Sequence, residues 1–497
     1  MTELTFTLDP HGKTPMYAQI AGYIVEEIRA GRLREGEKLP SKNGLCAHLG
    51  VSRSTAEGAY AILVAEGYVV AKARSGYYVG DYEPPVRAAG GLLSAAGGLL
   101  SAAGGFPSAA GGLLSAAGGL LSAAGGSLSA AAEADEARAD EALFSTGAVD
   151  TSVFPFASWA KINKEVVTGG AALLQRGHPQ GDLCLREALC GFLHAYRGVN
   201  CAPAQIVLGS GMDYLLGLLI ELLPPRTVFA LEDPGYRAAY RAIERAGRAY
   251  VPCALDSAGM RVDVLAQTGA QVAYVTPSHQ FPTGITMPAG RRAALLSWAS
   301  DAPDRYIVED DYDSEFRHLT RPIPAMQGLD EGGHVVYVGT FSRSLAPSIR
   351  IAYLVLPARL LKTYRALFYA SASSVSRFEQ HTLCRFIAEG FYGRHLRRVG
   401  NLYKQKRALL LVQLGQIPGL QISGAEAGLH FLVTLPRLSE QALVARAAAQ
   451  GIALNGLSQY AHARACPAST VVVGYAGMTD AQILDACARL VAAWTSQ

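Results

Sequence analysis

Four short segments carry residues suited to holding a phosphorylated ring. Ser210-Gly211-Met212 follows the apolar run Ile206–Leu208 and precedes a helical pattern, so its backbone amides could cradle an anion at a helix start. Glu232-Asp-Pro-Gly-Tyr236 places an aromatic ring after a second apolar run, and Glu309-Asp310-Asp311-Tyr312-Asp313 sets carboxylates after Ile307-Val308. The segment from Thr340 to Arg350 adds the hydroxyls of Thr340 and Ser342 and the guanidinia of Arg343 and Arg350. Hydroxyls, amides and a guanidinium fork match phosphate oxygens, and a carboxylate can pair with a protonated ring nitrogen. Together these groups fit a ligand with a phosphate, an aromatic ring and a basic ring nitrogen. Singly, each has an ordinary explanation: a Ser-Gly turn, a packed tyrosine, a solvated acidic loop or a magnesium site.

The elements around them support the combined reading. Apolar runs at Ile206–Leu208, Thr227–Leu231, Val272–Val275, Tyr306–Val308, Val335–Val338 and Ile351–Leu356 alternate with helical patterns, which predicts an α/β domain with a mostly parallel sheet and helices on both faces. In such sheets ligands sit at strand ends, where the four segments fall. The run Tyr214–Leu223 is too short to span a bilayer and contains Glu221, so it predicts a buried helix.

The N-terminal stretch has a different grammar. Ile20, Ile24, Val25 and Ile28 recur at helical spacing until Gly31; a second helix is expected from the N-cap candidate Ser41 to Gly50, and a third from Ser52 to Gly67. Tyr68-Val-Val70 and Tyr77-Tyr-Val79 flank a basic tip, Lys72-Ala-Arg74-Ser-Gly76, as a hairpin. Two short helices joined at Gly50-Val51 and followed by a hairpin predict a winged helix-turn-helix. Lys42, Arg53, Lys72 and Arg74 fall at helix starts and the hairpin tip, where phosphates would be met. A small helical domain with no nucleic-acid role is the alternative.

Between Arg87 and Glu133 lie near-copies of Ala-Ala-Gly-Gly-Leu-Leu-Ser. Each glycine costs about 1 kcal/mol against alanine in a helix, so a coiled coil is disfavoured, and the leucines are too sparse for a membrane span. A flexible tether is expected. The chain then divides into 11–82, a winged helix-turn-helix; 83–142, the repeat linker; and 143–497, the sheet domain, with a small subdomain from about 375.

Composition excludes little. The 497 residues are 50% hydrophobic with a net charge of +3, enough for more than one core and uninformative about partners. The eight cysteines form no C-x-x-C pair, so no zinc or disulfide framework is indicated, and the start lacks an apolar signal core; reduced thiols and a cytoplasmic location are expected.

The N-terminal unit resembles the GntR family of winged-helix regulators through Leu39-Pro-Ser41, Leu49-Gly-Val-Ser-Arg53-Ser-Thr55, Ala59-Tyr60, Glu66-Gly-Tyr68 and Ser75-Gly-Tyr-Tyr-Val79. The resemblance implies binding to double-stranded DNA, with Ser41, Arg53, Ser54 and Thr55 at backbone or bases and the wing residues Lys72, Arg74 and Gly76 at an adjacent groove. Lys42-Asn43 departs from the family's usual serine-arginine, so a phosphate contact is expected at Lys42.

From about Gly147 onward the chain resembles fold-type I class I/II aminotransferases, and most of all the aminotransferase-like half of MocR/GabR-type regulators. The motifs are His178-Pro-Gln-Gly181 with Leu185-Arg186, Glu232-Asp-Pro-Gly-Tyr236, Pro277-Ser-His-Gln-Phe-Pro-Thr-Gly284, Glu309-Asp-Asp-Tyr-Asp-Ser-Glu-Phe-Arg317, Gly339-Thr-Phe-Ser342 with Ala346-Pro-Ser-Ile-Arg350, and His395-Leu-Arg-Arg398. The resemblance implies pyridoxal phosphate as cofactor. Asp310 would pair with the pyridine nitrogen, Tyr312 with the ring hydroxyl and Tyr236 with the ring face. Ser210, Gly211, Met212, Thr340, Ser342 and Arg350 would hold the phosphate.

Four departures bear on chemistry. Met212 stands where a polar side chain often supports the phosphate, and Phe281 where aminotransferases have an asparagine. Ser469-Thr470 precede Val471-Val-Val473 where an arginine clamps a substrate carboxylate, leaving Arg464 as the nearest substitute for an effector contact. Above all, Arg343 occupies the position of the lysine that joins the cofactor. A guanidinium stays protonated to a pKa of about 12 or more and forms no such bond. The resemblance therefore implies a homodimeric DNA-binding regulator that senses a small amino compound without transaminase turnover. A cofactor-independent dimerisation module and an active aminotransferase are the alternatives.

Overall fold

The computed structural model describes residues 16–34, 36–65, 68–72, 76–79, 143–318, 324–463 and 469–496. The repeat linker, Arg74 and Arg464 lie outside the described residues, as do the side chains of Ser54 and Lys72.

In the N-terminal unit, α1 (Met16–Arg29), α2 (Lys42–Leu49) and α3 (Arg53–Ala65) precede an antiparallel hairpin of β1 (Val69–Lys72) and β2 (Gly76–Val79). Local chemistry sets the boundaries. Ser41 Oγ accepts from the Gly44 N–H at 3.0 Å, and Gly50 closes α2 in the left-handed region. The Thr55 N–H is capped by Ser52 Oγ at 3.2 Å. The helical stripe Ile20, Ile24 and Ile28 meets Leu45, Ala56, Tyr60 and Leu63 in one core. Each such aliphatic side chain contributes about 1.5–3 kcal/mol on full burial. The Tyr60 ring stacks on Tyr77 at 4.1 Å, tying α3 to the wing.

The larger domain is built on eight strands: β3 (Ile206–Gly209), β4 (Phe229–Asp233), β5 (Tyr250–Asp256), β6 (Gly259–Met260), β7 (Val272–Val275), β8 (Tyr306–Asp310), β9 (Val335–Thr340) and β10 (Ala352–Val355). They lie in the order β3-β10-β9-β8-β7-β4-β5-β6. The run from β9 to β5 is parallel, while β10 lies antiparallel between β3 and β9. Every apolar run singled out in the sequence contributes a strand. β5 escapes the pattern because Pro252 interrupts it, a residue tolerated here beside β4 but atypical of central strands.

The insertion of β10 has a functional consequence. Its register places Gly209, Ala352 and Thr340 side by side on three adjacent strands, which brings the segments after β3, before β10 and after β9 to one edge. The helix Met212–Leu222 packs as expected, with Leu215, Leu216, Leu219 and Leu222 buried against the sheet. A second sheet, β11 (Gln421–Ser423), β12 (His430–Thr434), β14 (Thr470–Gly474) and β13 (Asn455–Gly456) in that order, carries its own core with the helices Phe391–Leu414 and Asp480–Thr495. Among the described residues no helix is long and apolar enough to cross a membrane.

Candidate functional site

The anion cradle forms where β3, β9 and β10 meet. Gly211 has φ +102°, and a Cβ there would lie 2.6 Å from Arg350 Nη2, so the guanidinium packs directly on a bare backbone. Arg350 itself adopts the left-handed region (φ 51°), and its Nη2 donates to the Ser210 carbonyl at 3.2 Å. Thr340 Oγ1 and Ser342 Oγ are 3.1 Å apart, and the Ser342 N–H donates to Thr340 Oγ1 at 3.1 Å. The helix beginning at Met212 directs its first amides and its dipole to the same edge. Ser210, Gly211, Met212, Thr340, Ser342 and Arg350 are thus brought together.

The acidic run after β8 is parcelled out in different directions. Glu309 accepts from the Met326 and Gln327 amides at 2.7 and 2.8 Å. Asp311 receives Arg197 at 2.7 and 3.1 Å, a pair almost wholly buried; despite that burial, the guanidinium holds the carboxyl below its ordinary range. Asp313 meets His279 Nδ1 at 2.9 Å. The carboxylates therefore do not converge as a magnesium cage would require.

Asp310, like Asp313, leaves one buried oxygen bare. It is 3% exposed, its Oδ2 accepts from the Tyr274 hydroxyl, and its Oδ1 has no partner among the described residues. Burial pushes its pKa up to about 7; the Tyr274 hydrogen bond opposes the shift, Asp311 and Asp313 reinforce it, and Arg343 opposes it. Tyr274 was not singled out in the sequence, where its place inside Val272–Val275 reads as core packing.

An aromatic enclosure stands beside Asp310. Tyr236, the cap residue of the helix Arg237–Arg245, meets Phe281 edge-on at 5.9 Å, and Phe281 also contacts Tyr460, His430 and Tyr312. The Tyr312 hydroxyl donates to the His279 carbonyl at 2.9 Å and lies 3.1 Å from His279 Nδ1, so its proton is engaged within the protein. His279, Asp313 and His430 form a buried cluster whose ligating atoms lie within 4.8 Å of one another. A Cβ at Gly428 would fall 2.0 Å from His279 Nδ1, which explains the glycine. Nothing in sequence spacing announces this cluster.

Arg343 is partly buried, and its charge acts on Tyr236, Asp310, Tyr312, Tyr403 and His430. The next residue is fixed: Ser344 Oγ accepts from the Tyr392 hydroxyl at 2.9 Å, and its carbonyl meets His395 Nε2 at 2.7 Å. Thr470, the first residue of β14, shares a 2.9 Å hydroxyl contact with Thr434.

On the N-terminal unit, Lys42 Nζ and Arg53 Nε both reach Glu57 Oε1 at 3.3 Å, placing the starts of α2 and α3 side by side. Ser52 Oγ and Thr55 Oγ1 are 2.8 Å apart beside them. Ser41 caps α2 at the same end, and Gly76 opens β2 with φ +116°.

Comparison with known proteins agrees with this fold. The profile of the family "Aminotransferase class I and II" matches residues 140–490, and that of "Bacterial regulatory proteins, gntR family" matches residues 16–79. The chain is 35% identical over 486 residues to the HTH-type transcriptional regulator YdeL of Bacillus subtilis, covering 97% of each. It is 33% identical to the probable rhizopine catabolism regulatory protein MocR of Rhizobium meliloti, covering 95% of this chain and 92% of that one. Among solved structures, the kynurenine aminotransferase of Pyrococcus horikoshii matches with a TM-score of 0.65 and 27% identity, over 74% of this chain and 94% of that one.

Proposed function

We propose, from the fact that this chain belongs to the MocR-type transcriptional regulators, in which a gntR-type DNA-binding domain is joined to a class I and II aminotransferase domain, that the second domain holds pyridoxal phosphate without a covalent bond and senses a small amino compound. Asp310 carries the reading. A buried carboxylate with one oxygen bare and a pKa near 7 is costly unless an N–H donor meets it, and a protonated pyridine nitrogen is such a donor. The close approach of Arg350 to Gly211 beside the Thr340 and Ser342 hydroxyls supports a phosphate at the other end.

In this reading Asp310 holds the ring nitrogen, Tyr236 packs on the ring, and Ser210, Gly211, Met212, Thr340, Ser342 and Arg350 take the phosphate. When bound, the cofactor supplies an aldehyde that reacts with amines and a ring nitrogen that draws electrons. Transamination requires a lysine both as the covalent partner and as the base that moves a proton between carbons. Arg343 does neither, so the pocket recognises without turning over. Ligand binding biases DNA affinity only through different fits to two conformations. Ser41, Lys42, Arg53, Ser54, Thr55 and the wing residues Lys72, Arg74 and Gly76 meet the DNA, with two copies of the chain reading two half-sites in the cytoplasm.

The test is fluorescence anisotropy with fragments of the protein's own promoter region, with and without pyridoxal phosphate and candidate amines. Sequence-specific binding that shifts with ligand is expected. Absence of sequence-specific binding at physiological salt overturns the reading.

A further inference from the structure

We propose that Arg343 is the carboxylate receptor of this pocket, so that the compound sensed beside the ring is an amino acid or a close relative held through its carboxylate. This deepens the reading above and rests on it, since it takes the pyridine ring to be the group that neutralises Asp310.

The first support is the state of the Arg343 side chain. It is partly buried, yet it makes no hydrogen bond or ion pair with any described residue. Buried and half-buried arginines elsewhere in the domain have partners, among them Arg197 with Asp311 and Ser278, Arg186 with the Gly181 and Pro203 carbonyls, and Arg377 with Asp182 and two carbonyls. A partly desolvated guanidinium with five donors and no acceptor lacks the compensation that buried charges normally find.

The second support is its place. Arg343 directly follows Ser342, whose hydroxyl lies 3.1 Å from Thr340 Oγ1 at the end of β9, and its charge acts on Tyr236, Asp310, Tyr312, Tyr403 and His430. The grip of Tyr392 and His395 on Ser344 fixes the backbone beside it. Once a ring nitrogen satisfies Asp310, Arg343 is left as the uncompensated charge, and a planar fork of donors matches a carboxylate.

The third support is the other candidate position. Thr470 begins β14 buried and engaged with Thr434, and carries no charge. The residue type that clamps a carboxylate is therefore absent from that strand end and present where a lysine would have stood.

The experiment uses two synthetic probes that differ by one carboxylate: the phosphopyridoxyl conjugates of glycine and of methylamine. Affinities are measured by calorimetry on the full chain and on Arg343→Gln, Arg343→Lys and Arg464→Ala, each checked for a native unfolding midpoint. The unaltered chain is expected to prefer the glycine conjugate about tenfold or more, as a charge-assisted fork provides. Arg343→Gln is expected to bring the two within about twofold, Arg343→Lys to retain part of the preference as a point charge, and Arg464→Ala to retain all of it. A preference that survives Arg343→Gln, or one abolished by Arg464→Ala, overturns the proposal while leaving the cofactor pocket standing. Failure of both probes to bind the unaltered chain overturns the cofactor reading and this proposal with it.

Discussion

The Tyr274 hydroxyl donates to one oxygen of Asp310 and leaves the other bare at the end of β8. That asymmetry makes Asp310 an acceptor for one further N–H, and it makes Tyr274 a tuning residue. Burial raises the carboxyl to about 7, and the Tyr274 hydrogen bond opposes the rise. Tyr274→Phe therefore moves the pKa further up, so that at pH 7 fewer chains carry the carboxylate. We expect pyridoxal phosphate affinity, read by absorbance titration, to fall about three- to tenfold at pH 7 and to recover by about pH 9. Asp310→Asn is expected to lose affinity at every pH. Equal losses at both pH values in Tyr274→Phe would mean that the hydroxyl matters only for packing.

Replacing Arg343 by lysine restores an amine that can lose its proton and react with an aldehyde. Arg343→Lys with pyridoxal phosphate is expected to give a visible absorption band and, after borohydride, a stable mass increase at position 343. The unaltered chain is expected to give none at that residue. A reducible adduct at another lysine in both proteins would displace the proposed pocket.

The features that announced the site and those that hid it differ in kind. Ser41, Gly50 and Ser52 were legible because capping is chemistry between near neighbours. The strands were legible because buried parallel strands are continuous apolar runs, and β5 was not because Pro252 breaks the run. Long-range pairings leave no such trace: Arg197 and Asp311 are 114 positions apart, and His279 and Asp313 are 34 apart. Tyr274 was hidden for another reason. A tyrosine inside an apolar strand satisfies core packing and polar contact at once, and only the fold reveals which partner its hydroxyl finds.

The cradle depends on the backbone at Gly211. With φ at +102° and a Cβ position 2.6 Å from Arg350, alanine both strains the chain and displaces the guanidinium. Gly211→Ala is expected to cost about 1–3 kcal/mol in urea unfolding. It should also weaken pyridoxal phosphate more than pyridoxal, which lacks the phosphate. Equal weakening of both ligands would argue against an anion site here.

Glu232 contributes a pH dependence of definite sign. It is 3% exposed with Oε1 unpartnered, and burial raises its pKa from 4.5 to about 7, against hydrogen bonds from Thr276 and Gln280. A carboxyl raised on folding binds its proton more tightly in the native state. Its stabilisation is complete below about 4.5 and is lost as pH rises through about 7. Relative to Glu232→Gln, the unfolding midpoint of the ligand-free chain should decline from about pH 5 to pH 8, because the histidines lowered by burial act in the opposite direction in both proteins alike. Glu309 and Asp310 shift the same way and keep their own contribution in the variant. An unchanged slope in Glu232→Gln would show that the buried carboxyl is not the titrating group.

Glu57 sets up a competition on the DNA-facing side, because its carboxylate holds both Lys42 and Arg53 at 3.3 Å. In the proposed DNA-binding mode both cations exchange that partner for phosphate when the helices dock. Arg53→Ala is expected to weaken operator binding and to reduce the slope of log affinity against log salt by about 1, as loss of one phosphate contact requires. Glu57→Gln is expected to act oppositely, raising affinity for specific and nonspecific fragments alike because two cations are released from an internal partner. Neither change should move the unfolding midpoint appreciably, since the Glu57 and Arg53 side chains are 43% and 72% exposed and surface ion pairs contribute little. The pair of variants is informative together: weakening by both would mean that Glu57 orders the helix starts for recognition rather than competing with phosphate.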